Sequence, residues 1–305
     1  GEDQLRMIFA CCHPSIPPDS QVALTLKIVG GFSVPEIAAA YLSNDEAVAK
    51  MITRAKSSLR KGRVALDIPV AGDISDRLDA VLKVLYLMFN EGYGASGGDE
   101  LVRRDLCFEA VRLVRLLAAH PTTTTPKTHA AAALFCFQAS RLPARTDHAG
   151  ELILLADQDR TVWDKRLIGQ GLKHLRLSAS GTELSTFHLE AEIAAIYTLA
   201  PDYDSTDWRR IYECYILLQK ISFSRVAELN RIIVMSRIDG PNAALTAIES
   251  LVEESGLEGY NLFHITRGHL LAEVGRDADA TQAFERALAL TRNSTVRKFI
   301  QDRIR

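Results

Sequence analysis

Apolar residues between Val48 and Leu59 fall at Val48, Ile52, Ala55 and Leu59, spacings of four, three and four that put one buried stripe on a helix of about four turns. Just upstream, Ile37, Ala38 and Tyr41 supply the apolar side of a shorter helix. Turn chemistry divides the two. Gly30 and Gly31 end a preceding helix, Ser33 is placed as an N-cap with Glu36 as the return half of a capping box, and Pro35 falls in the first turn, where no intrahelical amide bond is lost. Leu42 and Ser43 make the next turn, and Asn44 is positioned to cap the second helix, whose first turn carries Asp45 and Glu46. The segment 27–60 therefore reads as a helix-turn-helix.

The face left over on the second helix holds Lys50, Thr53, Arg54, Lys56, Ser57, Arg60, Lys61 and Arg63, a composition suited to phosphate contact and to base edges. A charged helix face is ordinarily just solvated, and Asp45 and Glu46 offset part of this charge. If the helix reads DNA, phosphate contacts run from Lys50 onward, and Asn44 and Lys50 lie near the end that enters the groove.

Beyond residue 62 the pattern changes. GRVALDIPVAGDISD at 62–76 interrupts the helical period with two glycines and a proline and reads as a linker at 64–76 between a first domain, 1–63, and a second, 77–305. After it, helical periodicity runs over 77–90, 101–119, 127–140, 150–154, 160–176, 182–199, 205–219, 222–237, 241–253, 258–273 and 277–290, with a last helix from 294. No alternating strand pattern competes, so the expected class is all-α. The stretch 259–290 places Gly268, Leu271 and Gly275, then Ala280, Phe284, Ala287 and Leu288, at the spacings of a tetratricopeptide unit, and 208–251 fits a looser copy through Tyr212, Leu217, Ala227, Asn230 and Ala244. Such hairpins stack to bury their apolar faces, giving a TPR-like array suited to a protein or peptide ligand, to packing against the first module, or to sensing a small molecule.

With 47% hydrophobic residues in 305, a full core is affordable, and no apolar run is long enough to cross a membrane. The formal charge of −2 means that any basic surface is local. Five cysteines, Cys11, Cys12, Cys107, Cys136 and Cys214, are an odd number without disulfide spacing, which points to a reduced, cytoplasmic chain. Cys11, Cys12 and His13 are residue types that ligate metals, but neighbouring helical positions point about 100 degrees apart and no second CxxC or HxxxH follows, so no metal is expected. The other histidines share no spacing. Neither a Ser-His-Asp order nor a nucleophile elbow is present, so no enzyme and no cofactor are expected. Two clusters more polar than their flanks remain: Asn90, Glu91 and Tyr93 with Arg103 and Arg104, and Asp157, Asp159 and Arg160. They read either as helix caps held by carboxylate–arginine pairs or as two sides of one polar pocket.

CCHP at 11–14, QVALTLKIVGGFSVPEIAAAYL at 21–42 and ITRAKSSLR at 52–60 resemble region 4 of an extracytoplasmic-function RNA polymerase sigma factor. RLDAVLKVLYLMFNEGYGASGG at 77–98, LVRRDLCFEAVRLVRLLA at 101–118 and ELILLADQDRTVWDKRLIGQGL at 151–172 resemble the subgroup that carries a large C-terminal helical extension. The resemblance implies a bacterial transcription initiation factor whose region 4 binds the upstream (−35) promoter element and core RNA polymerase. Region 2, which melts the downstream element in that family, has no room before Leu5, so the expectation is a fragment that needs region 2 restored to initiate. The family commonly has arginine where Met51 stands, and methionine cannot make bidentate contacts. The alternative is a helical-repeat scaffold of the same ancestry that works only through protein contacts.

Overall fold

A computed structural model describes residues 2–40, 44–62, 64, 68, 74–95, 98–255 and 257–304. Every regular element among them is helical apart from an isolated antiparallel bridge between Thr146 and Leu152, so the chain is all-α. Its contacts form two compact units, residues 1–143 with 163–183, and residues 144–162 with 184–305. Most of the 64–76 stretch lies outside the described residues, as do Tyr41, Leu42 and Ser43.

The first unit holds α1 (Glu2–Cys11), α2 (Pro18–Ile28), α3 (Val34–Ala40), α4 (Asp45–Lys61), α5 (Ile74–Tyr93), α6 (Arg104–Ala119), α7 (Pro126–Ser140) and α8 (Lys165–Ser178). After α2, the amides of Val29 and Gly30 both donate to the Thr25 carbonyl and Phe32 N donates to Leu26 O, with Gly31 at φ 75° making the reversal. The capping box of α3 is formed: Ser33 N donates to Glu36 Oε2 at 2.6 Å, and Glu36 N to Ser33 Oγ at 3.3 Å. Asn44 Oδ1 caps α4 through Ala47 N at 2.8 Å. On α4, Val48, Ile52 and Ala55 are buried and Leu59 is half-buried, and the helix packs on α2 and α3.

The helix-turn-helix continues into the helices that follow it. α5 packs on α1 and α2, and Arg77 Nη2 donates to the Phe9 carbonyl. α5 and α6 meet around Gly92, where a Cβ would stand 2.8 Å from Cys107 N and 2.9 Å from Arg103 O. α7 is apolar almost all round because α5, α6 and α8 enclose it, and every residue from Ala130 to Phe137 is buried. The Thr run before it folds as a turn. Thr123 Oγ1 donates to Leu117 O at 2.6 Å, Thr128 Oγ1 to Thr123 O at 2.8 Å, and Thr125 caps α7.

The second unit holds α9 (Thr186–Leu199), α10 (Trp208–Ile221), α11 (Arg225–Ile238), α12 (Pro241–Ser255), α13 (Asn261–Glu273), α14 (Asp277–Leu290) and α15 (Ser294–Ile304), each packed on the next. One apolar cluster joins α9 to α11 through Leu189, Ile211, Cys214 and Val234; another joins α11 to α15 through Leu229, Ile248, Phe263, Leu271, Phe284 and Ile300. The helix expected at 150–154 is absent. Asp147 Oδ1 accepts from the amides of Ala149 and Glu151 at 2.8 Å each, which turns the chain, and Ile153 N then donates to Arg145 O across the short bridge. Expected starts at 182 and 205 move to Thr186 and Trp208, after the capping residues Ser185 and Asp207.

Candidate nucleic-acid interface

With its apolar stripe against α2 and α3, α4 turns the rest of its surface outward. Asn44, Lys50, Thr53, Arg54, Lys56, Arg60 and Lys61 are exposed and Ser57 is half-buried; Arg63 lies outside the described residues. Arg54, Lys56 and Arg60 make no ion pair or side-chain hydrogen bond among the described residues, so their charge is available to a ligand. The first turn is different. Lys50 Nζ is 2.6 Å from Glu46 Oε1, an exposed pair one helical turn apart that is worth only a few tenths of a kcal/mol, about 0.3–0.5, and is readily exchanged for a phosphate. Asn44 Oδ1 is committed to the Ala47 amide and, in mid-helix, Thr53 Oγ1 to Ala49 O at 2.7 Å, so both polar groups are partly spent on the backbone. Met51 is half-buried, as a gap-filling methionine at the edge of the apolar stripe would be.

The two polar clusters belong to different compact units, Asn90, Glu91, Tyr93, Arg103 and Arg104 to the first and Asp157, Asp159 and Arg160 to the second. In the first, Arg103 pairs with Asp105 at 3.2 Å, its amide donates to Gly92 O at 2.8 Å, and Arg104 Nη2 reaches Leu142 O at 3.5 Å. The residue missed in the sequence is Arg141, which donates to the Tyr93 hydroxyl at 2.9 Å. Its only trace there was a cation just after an apolar helix, the ordinary composition of a C-cap. In the second cluster Arg160 Nη1 donates to the carbonyls of Tyr197 and Ala200 at 2.8 and 3.0 Å, at the C-terminus of α9. Asp159 Oδ1 accepts from the amide and hydroxyl of Thr161, a local turn. Arg104 and Arg160 thus donate to backbone carbonyls, and Asp159 accepts within a local turn.

All five cysteines are buried thiols. Burial pushes Cys11 and Cys12 up to about 12, and Cys12 Sγ lies 3.7 Å from Thr25 Oγ1. No three histidine, cysteine or acidic side chains gather around a metal-sized space among the described residues. His129 and His174, which the sequence does not link, meet with Nδ1 atoms 3.0 Å apart between α7 and α8.

Residues 77–179 match a family described as of unknown function, DUF6596. Across 300 residues, covering 98% of this chain and 70% of the relative, the sequence is 39% identical to the uncharacterized protein R00370 of Rhizobium meliloti (strain 1021). The chain belongs to the R00370 family. No solved structure matches it. Within the R00370 family frame the DUF6596 segment holds α5 to α8, while the helix-turn-helix precedes it and α9 to α15 follow it. No described helix is long and apolar enough to cross a membrane.

Proposed function

We propose that this chain is the promoter-reading and regulatory part of an RNA polymerase sigma factor of the extracytoplasmic-function type. In this reading α4 enters the major groove of the upstream promoter element, α1 to α3 hold it and present a surface to core RNA polymerase, and the helices from α5 onward form an extension that regulates or recruits through protein contacts. The observation that carries the reading is the exposed set of Arg54, Lys56 and Arg60, unpaired among the described residues, on the second helix of a capped helix-turn-helix whose apolar stripe is buried. Cations unpaired among the described residues and spread over the exposed surface of a helix of 17 residues, in a chain whose net charge is −2, concentrate positive potential where a phosphate backbone would lie.

A scaffold that acts only through protein contacts is the second reading, favoured by the Glu46–Lys50 pair and by methionine rather than arginine at position 51. Promoter selection separates the two. The full-length factor, with region 2 present, is bound to core polymerase and used to select from randomised upstream sequences. Enrichment of one upstream element that is lost on replacing Lys50, Arg54 and Lys56 with alanine supports the sigma reading; polymerase binding without any enriched element supports the scaffold.

A further inference from the structure

Arg141 is the C-cap of α7, and only 8% of the residue is exposed. Its one side-chain hydrogen bond among the described residues is from Nη2 to the Tyr93 hydroxyl, and its Nε is buried with no acceptor. No carboxylate stands within ion-pair distance of it among the described residues. Asp164, whose amide donates to the Ser140 carbonyl, has Oδ1 turned to the amides of Arg166 and Leu167 as the cap of α8. Asp105 is paired with Arg103. Arg104 adds to the imbalance, because its Nη2 lies 3.5 Å from the carbonyl of Leu142 and so brings a second guanidinium to the residue after Arg141.

A buried charge without a counter-charge is among the least favourable arrangements in a protein interior. The carbonyls at the end of α7 attract a cation, but a helix terminus carries roughly half a charge and does not neutralise a whole one. The side chain is also held in place. Its guanidinium carbon lies 5.9 Å from the Tyr93 ring centre, Tyr93 stacks on Phe89 at 5.8 Å, and Phe89 stacks on Phe135 at 4.8 Å. A planar fork fixed below the surface, with buried N–H left over, is the geometry that recognises a carboxylate or phosphate group.

We infer that Arg141 is the recognition residue of an anion site at the junction of α5, α6 and the end of α7, taking the carboxylate or phosphate group of a small molecule, with Tyr93 orienting the guanidinium and Arg104 adding charge. The occupant is small because the guanidinium lies beneath the surface, out of reach of a flat macromolecular face. The site stands apart from the promoter reading, since none of its residues lies on α4.

The test uses the full chain and two probes, inorganic phosphate and acetate, each compared with chloride at equal ionic strength, followed by thermal unfolding and by calorimetric titration. One oxyanion should raise the unfolding midpoint saturably and bind with a stoichiometry near one, while chloride does not; which of the two wins assigns the group. Arg141→Lys keeps the charge and removes the fork, and should weaken binding about tenfold or more. Tyr93→Phe leaves the ring stack in place and should weaken it a few-fold, which keeps the test decisive if the Arg141 variant does not fold. Midpoints that follow only ionic strength, or binding undiminished in Tyr93→Phe, would overturn the assignment.

Discussion

A Cβ built on Gly268 would stand 2.7 Å from Cε1 of Phe284 and 2.9 Å from its Cδ1 and Cζ, so α13 and α14 meet across a site where only hydrogen fits. Phe284 is buried, so the ring cannot turn out into solvent without losing its packing. Overpacking of this kind costs about 1–3 kcal/mol, whereas replacing a helical glycine with a better helix former returns nearly 1. Gly268→Leu should therefore lower the thermal midpoint, and Gly268→Ala should lower it less. A rise in midpoint for the leucine variant would contradict the packing of this hairpin.

Gly92 faces backbone rather than a ring. The atoms nearest its absent Cβ include Cys107 N and Arg103 O, which cannot rotate away. Gly92→Ala is expected to destabilise by about 2 kcal/mol or more, exceeding the loss for Gly268→Ala in the same urea titration. Equal midpoints for the two alanine variants would show that α6 can shift to make room.

Asn44 tests whether a cap and a base-reading role coincide. Its Oδ1 accepts from Ala47 N at 2.8 Å, and removing such a cap costs about 1 kcal/mol. Asn44→Ala should lose that stability while Asn44→Ser keeps most of it. If Asn44 also reads a base, the serine variant should still lose promoter discrimination in the holoenzyme; unchanged discrimination would leave it as a cap alone.

Acid should destabilise the second unit before its carboxylates titrate. Burial, followed by the nearby Arg303 and Arg237, holds His269 down to about 4 from an ordinary 6.5. The unfolded chain thus takes up a proton near pH 6.5 that the folded chain refuses until about pH 4, so this contribution is complete above the first value and is lost as pH falls toward the second. For a partly exposed ring, screening leaves about 1 kcal/mol between pH 7 and 5. His174, held down to about 4 by burial and by His129, acts in the same direction in the first unit. Denaturant titrations of the chain and of His269→Gln across this range should give a shallower pH dependence for the variant; parallel curves would rule out the assignment.

Local chemistry was the legible part of the chain. The Ser33–Glu36 box, the Asn44 cap and the Val48–Ile52–Ala55 stripe act within one or two turns of helix, and spacing alone specifies them. The Gly268–Phe284 contact was legible too, because a small residue on one helix of a hairpin implies a large one opposite. What the sequence hid depends on distant partners. Arg141 meets Tyr93 across 48 positions and His129 meets His174 across 45, with no periodicity linking them. Residues 150–154 carried three successive apolar side chains, Leu152, Ile153 and Leu154, but Asp147 satisfied the local amides first.

If the outward face of α4 lies against promoter phosphates, as proposed, salt dependence measures this most directly. Binding of a promoter fragment by the full-length factor with core polymerase should be followed from low to moderate salt, with and without Arg54→Ala and Lys56→Ala together. Each phosphate contact contributes about 0.9 to the slope of log affinity against log salt, so the double variant should reduce its magnitude by roughly two. A slope unchanged by the double substitution, in a holoenzyme that still assembles and still binds the fragment, would contradict the account.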